Sequence, residues 1–101
     1  MLNRGYARLA HRAVIAVGGE DRVTFLQGLV SNDVRRLAPD RALFAAMLTP
    51  QGKFLHDLLL ATDGTTILVD TEADRADALL KKLTLHRLRA KVTLEARPDL
   101  A

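Results

Sequence analysis

An acid and an imidazole stand side by side in an otherwise apolar run, Phe54-Leu55-His56-Asp57-Leu58-Leu59-Leu60-Ala61. A carboxylate held there can accept hydrogen bonds from an amine or a ring N–H and stabilise positive charge developing on it. A polar pair in such a run is costly to bury unless each member is hydrogen-bonded. In a strand, neighbouring side chains point to opposite faces. His56 and Asp57 are therefore not placed to act as one catalytic dyad, and only one of them can face the concave side of a sheet. The competing reading is that one is solvated and the other satisfied by nearby backbone.

Two further groups carry chemistry. Ser31-Asn32-Asp33 follows an apolar-striped segment. Asn32 offers both a donor and an acceptor to a ligand, but small polar residues at a helix end equally serve as caps. Lys81, Lys82, Arg87, Arg89 and Lys91 surround His86, with no acid between positions 78 and 94. Such a stretch suits a phosphate backbone or a polyglutamate tail. It also suits a solvated helix end, where the dipole favours cations. No aromatic residue interleaves it, so base stacking is not suggested.

No phosphate loop, metal-ligand spacing or nucleophile elbow occurs in the sequence. There is no cysteine among the 101 residues, which excludes disulfides, thiolate metal sites and cysteine nucleophiles. A reducing, cytoplasmic setting is the expectation. Apolar residues make up 49% and charged residues 27%, with a net charge of +3. This describes one globular domain over residues 1–101, mildly basic and able to build a core. No apolar run approaches membrane-spanning length, so no membrane partner is expected. Met1 to Gly19 has no acid and contains Arg4, Arg8 and Arg12, a transit-peptide-like bias. Ala13–Val17 nevertheless reads as a core strand, which a cleaved leader should not contain.

These groups need elements to position them. Residues 6–17 read as extended, broken by Gly18-Gly19. A helix is expected from about Glu20, with Glu20 and Asp21 in its first turn and Val23, Leu26 and Val30 as its apolar stripe. Pro39-Asp40 marks a loop. Three strands follow over 42–48, 54–61 and 65–70, joined by Thr49-Pro50-Gln51-Gly52 and by Asp63-Gly64, the strongest hairpin signal present. A second helix runs from about Asp74 to Leu83 or Leu85, with Ala76, Leu79, Leu80 and Leu83 facing the core. A last strand covers Lys91–Glu95. The order β-α-β-β-β-α-β predicts an α+β fold: an antiparallel sheet with two helices on one face.

Three segments, in order, resemble a known family. Asp21-Arg22-Val23-Thr24-Phe25-Leu26-Gln27-Gly28-Leu29-Val30-Ser31-Asn32-Asp33-Val34 is similar to the R-x-x-F-L-Q-G-L-x-[ST]-N-D-[VI] stretch of YgfZ-type folate-binding proteins. Leu48-Thr49-Pro50-Gln51-Gly52-Lys53-Phe54-Leu55-His56-Asp57-Leu58 resembles the family's L-x-P-x-G-[KR]-x-x-x-D-[LF] hairpin, and Leu88-Arg89-Ala90-Lys91-Val92 its L-R-[AS]-K-V segment. The resemblance covers the chain from about Arg12 to Glu95.

That resemblance implies a fold shared with the aminomethyltransferase (T-protein) of the glycine cleavage system, with tetrahydrofolate as the bound cofactor in a cavity ringed by several domains. In the T-protein branch an essential acid lies in a G-G-[IV]-x-D-D-L strand. Gly52 matches its first glycine and Asp57 its second acid. Lys53 replaces the second glycine, and His56 stands where the other acid would be. These departures favour the YgfZ branch, linked to iron–sulfur cluster assembly or repair and to tRNA modification, over aminomethyltransferase chemistry. The implied folate-binding residues are Asp57, Asn32 and His56, and the implied partners include iron–sulfur proteins or tRNA. The basic stretch would draw the folate glutamate tail or RNA. The K-G-C-Y-x-G-Q-E signature of the YgfZ branch is missing. The sequence thus looks like the N-terminal third of such a protein, whose site needs C-terminal domains or a partner chain.

Overall fold

The computed structural model describes residues 12–48 and 54–100. Within them, five strands form one antiparallel sheet: β1 (Arg12–Gly18), β2 (Leu43–Leu48), β3 (Phe54–Thr62), β4 (Ile67–Glu72) and β5 (Thr93–Ala96). Their spatial order is β2-β3-β4-β1-β5. Helix α1 (Arg22–Gln27) follows β1, and α2 (Ala76–Arg87) links β4 to β5. The expected α+β order holds, with short 3₁₀ turns added at Val34–Arg36, Ala73–Arg75 and Pro98–Leu100.

Both helices pack on one face of the sheet. Leu26 of α1 and Leu79 and Leu83 of α2 share a core with Ile15, Val17, Leu58, Leu60, Ile67 and Val69. Val17 faces Ile67 and Leu94, and Ile15 faces Val69, so β1 joins the two halves of the sheet. Each such fully buried aliphatic side chain contributes about 1.5–3 kcal/mol. A six-residue helix is marginal alone; α1 holds because Leu26, 1% exposed, is locked into this core.

Several boundaries differ from the sequence pattern, each for a hydrogen-bonding reason. Helix α1 starts at Arg22 rather than Glu20, since Gly19 turns the chain with a φ of 101°. The carboxylate of Asp21 accepts the Lys91 N–H at 2.8 Å, and its own N–H bonds the Lys91 carbonyl at 3.1 Å. That pairing takes Lys91 away from the ladder, so β5 begins at Thr93. Likewise Asp63 accepts the N–H groups of Thr65 and Thr66, both at 2.9 Å. The hairpin therefore has a four-residue loop, and β4 begins at Ile67. As the capping reading expects, Asp33 caps the following 3₁₀ turn through the Arg35 N–H. The expected extended segment before Arg12 and the Thr49–Gly52 turn lie outside the described residues.

Candidate functional site

The site is built on β3. Leu58 and Leu60, 3% and 0% exposed, point into the helix-bearing core. Alternation turns Asp57 and Leu59 to the opposite face, where Asp57 is exposed. Neither α-helix covers this face. Ala46 of β2 stands opposite Asp57, and Phe44 stands opposite Leu59. Phe44 is 79% exposed, an aromatic ring presented to solvent beside the acid.

Across the sheet, Leu59 pairs with Asp70 of β4, and Asp70 with Val14 of β1. Arg12 reaches back from the end of β1 to this row. Its Nε donates to the Asp70 carboxylate at 2.7 Å and its Nη2 to the Asp70 carbonyl at 3.2 Å. Arg12, Phe44, Ala45, Asp57, Leu58 and Leu59 together line a hollow of about 300 Å³. Arg12 is committed to Asp70, and among the described residues Asp57 makes no ion pair. The backbone under it is fixed by Thr71, 1% exposed, whose hydroxyl donates to the Asp57 carbonyl at 3.3 Å. The arrangement can accept hydrogen bonds from a planar N–H-bearing ring while offering it an aromatic face and an apolar floor.

Asn32 sits elsewhere. Its Nδ2 donates to the Phe44 carbonyl at 2.8 Å, and its Oδ1 accepts the Asp33 N–H at 2.7 Å. Ser31 accepts the Ala46 N–H at 2.9 Å and returns its own N–H to the Ala46 carbonyl at 2.9 Å. Residues 31 and 32 thus cover the outer edge of β2, whose backbone groups would otherwise be unpaired. Asn32 touches the strand that carries Phe44 but does not line the hollow. His56 has its backbone in β3 opposite Met47, while its side chain lies outside the described residues.

The basic stretch stands on the other side of the sheet from Asp57, on the C-terminal half of α2 and the turn after it. One of its cations, Lys91, pairs with Glu20 at 3.3 Å. The stretch and the hollow therefore do not form one surface. Sequence reasoning missed Phe44 and the Arg12–Asp70 pair. Phe44 lies in the wholly apolar segment Leu43-Phe44-Ala45-Ala46-Met47-Leu48, where alternation gives no sign of which face is wet. Arg12 and Asp70 are 58 positions apart, and only strand pairing joins them. Among the described residues, no cluster of three or more His, Asp or Glu is placed to hold a metal ion. No helix in them is long and apolar enough to cross a membrane.

The structure superposes on the glycine cleavage system aminomethyltransferase T of Bartonella henselae with a TM-score of 0.80, covering 87% of this chain and 25% of that one at 22% identity. The chain is thus an α+β domain of the T-protein-like fold. No family model matches it. It is 36% identical to the iron-sulfur cluster assembly factor IBA57 homolog, mitochondrial, of Neosartorya fischeri and 37% identical to that of Aspergillus fumigatus. Each match covers 94% of this chain and 25% of the relative. The homolog of Mycosarcoma maydis is 35% identical over 87% of this chain. The chain belongs to this T-protein-like, GcvT/YgfZ-like family, and it spans about a quarter of the length of the curated relatives it matches.

Proposed function

We propose that the chain supplies one wall of a tetrahydrofolate site in a protein that acts in iron–sulfur cluster assembly or repair and in tRNA modification. The carrying observation is the exposed Asp57 carboxylate beside Phe44 in the 300 Å³ hollow. A pterin presents adjacent N–H donors on one edge and a flat ring. Asp57 accepts the first, and Phe44 receives the second. Folate, when bound, supplies nitrogens that carry one-carbon units. The chain's own residues orient it: Thr71 fixes the strand under Asp57, and the Arg12–Asp70 pair closes one rim. The names of the fungal relatives support the iron–sulfur role.

The hollow is open, and remaining domains or a partner chain complete the site. Calorimetry with tetrahydrofolate on the full-length protein tests the reading. Asp57→Ala weakens binding by about 1.5–3 kcal/mol, the range for a charged hydrogen bond, whereas His56→Ala retains it. Unchanged binding in Asp57→Ala overturns it. The T-protein-like fold favours a second reading, an aminomethyltransferase that transfers a methylene unit to tetrahydrofolate. A methylene-transfer assay on the same protein separates the two. A cytoplasmic location remains part of the proposal. The fungal relatives are named mitochondrial, and fractionation of the tagged full-length protein decides.

A further inference from the structure

The C-terminal end of α2 carries a second surface that the folate reading does not use. Leu85 is 74% exposed and Leu88 86% exposed. Lys81 and Leu85 are one turn apart on the exposed side of α2, and Leu88 follows at its C-cap. Lys82, Arg87 and Arg89 flank them. Among the described residues, Lys81, Lys82, Arg87 and Arg89 make no ion pair. The core does not need either leucine, since Leu79 and Leu83 already anchor the helix.

Leu88 is also strained. Its φ is 41° and its ψ −109°, and it is the only non-glycine among the described residues with a positive φ. A bulky residue there is an outlier, because its Cβ crowds the backbone. The turn is closed behind it by the Ala90 N–H, which bonds the Arg87 carbonyl at 2.7 Å. An apolar side chain is thus held out in water at a position where glycine would sit without strain. Neither cost is repaid within the described fold. Strain of this kind points outward, to something the side chain meets.

We infer that Leu85 and Leu88, ringed by Lys81, Lys82, Arg87 and Arg89, form a docking knob for an acidic partner protein, whose apolar pocket takes Leu88 and whose carboxylates meet the cations. Charge complementarity selects the partner: four cations with no ion pair among the described residues flank two leucines. Nucleic acid fits less well, because the knob has no aromatic side chain and nothing in a phosphate backbone takes up leucine. An anionic lipid surface also fits less well. Asp74 and Asp77 are exposed at the other end of the same segment, so α2 cannot lie flat on negative headgroups. The knob is a fixed anchor of the kind that dominates protein interfaces.

The test titrates full-length protein against an amphipathic helical peptide bearing glutamates beside leucines. Parallel arms use an oligoglutamate of equal charge, a double-stranded RNA oligonucleotide, and phosphatidylcholine–phosphatidylglycerol vesicles. The glutamate–leucine peptide binds at least tenfold tighter than oligoglutamate, and Leu88→Gly weakens it by roughly tenfold. Because Leu88→Gly relieves the positive φ, its melting temperature does not fall, so lost binding is not lost folding. Lys81→Glu with Arg89→Glu abolishes the same binding. Equal affinity for the two peptides, no peptide binding, no effect of Leu88→Gly, or binding confined to RNA or vesicles overturns the proposal. Tetrahydrofolate affinity, measured alongside, is unchanged by Leu88→Gly, which keeps this outcome separate from that of the folate site.

Discussion

Asp63 shows how much one carboxylate can organise. It accepts the backbone N–H of Thr65, the backbone N–H of Thr66 and the Thr65 hydroxyl. Those bonds, the Thr65 backbone N–H first, hold its pKa at about 2, against an ordinary value of 3.8. Since the folded-state pKa is depressed, the stabilisation is fully present above the unfolded value and is lost as pH falls from 3.8 towards about 2. Asp63→Ala therefore lowers the melting temperature near neutral pH, and the gap to the wild type closes as pH approaches the folded value. Thermal melts of both proteins across that window check the sign. Leu88 gives the opposite case. A strained non-glycine residue costs roughly 1–3 kcal/mol, so Leu88→Gly raises stability by up to about that amount, less the added backbone entropy of glycine. Chemical denaturation measures it.

At the scale of elements, the molecule depends on a few long-range clasps. The turn between β1 and α1 is tied to the start of β5 by two hydrogen bonds between Asp21 and Lys91, 70 positions apart. Gly19 makes that approach possible. Its φ of 101° is strained for any other residue, and a methyl group there would run into the Lys91 carbonyl. Gly19→Ala is expected to cost about 2 kcal/mol or more by combining backbone strain with displaced packing. Urea unfolding would register it as a lower midpoint. The outer edge of β2 is the second such point. Asn32→Ala removes the bond to the Phe44 carbonyl and is expected to cost about 1 kcal/mol. If Asn32 acted solely on a ligand, the melting temperature would not move.

Taken as a whole, the molecule is a one-sided sheet. One face is closed by α1 and α2 over Leu60, which is fully buried at the centre. Truncating Leu60→Ala should cost about 2–5 kcal/mol in equilibrium unfolding. The other face bears Asp57 and Phe44, and the exposed leucines sit beyond the helices. The two proposed surfaces are therefore separated by the thickness of the domain. Substitutions at distant, independent sites add, so Asp57→Ala combined with Leu88→Gly should change stability by the sum of the single effects. A calorimetric double-mutant cycle that departs from additivity would show that the surfaces communicate.

Much of this fold is written in local pattern. The apolar stripes that placed α1 and α2 and the Asp63-Gly64 turn are decided by residues within one or two turns of each other, where periodicity and turn chemistry act. The presence of Asp57 in an apolar strand was legible for the same reason. What that pattern could not contain is which distant groups meet. Lys91 leaves its strand because Asp21 takes its N–H, Asn32 is spent on the edge of β2, and Arg12 is drawn to Asp70. Phe44 faces water because β2 lies at the sheet edge on the side the helices leave bare. Local sequence sets what each segment can be. Pairing across the sheet, through contacts tens of residues apart, sets which face each side chain finds, and with it where a ligand or partner can bind.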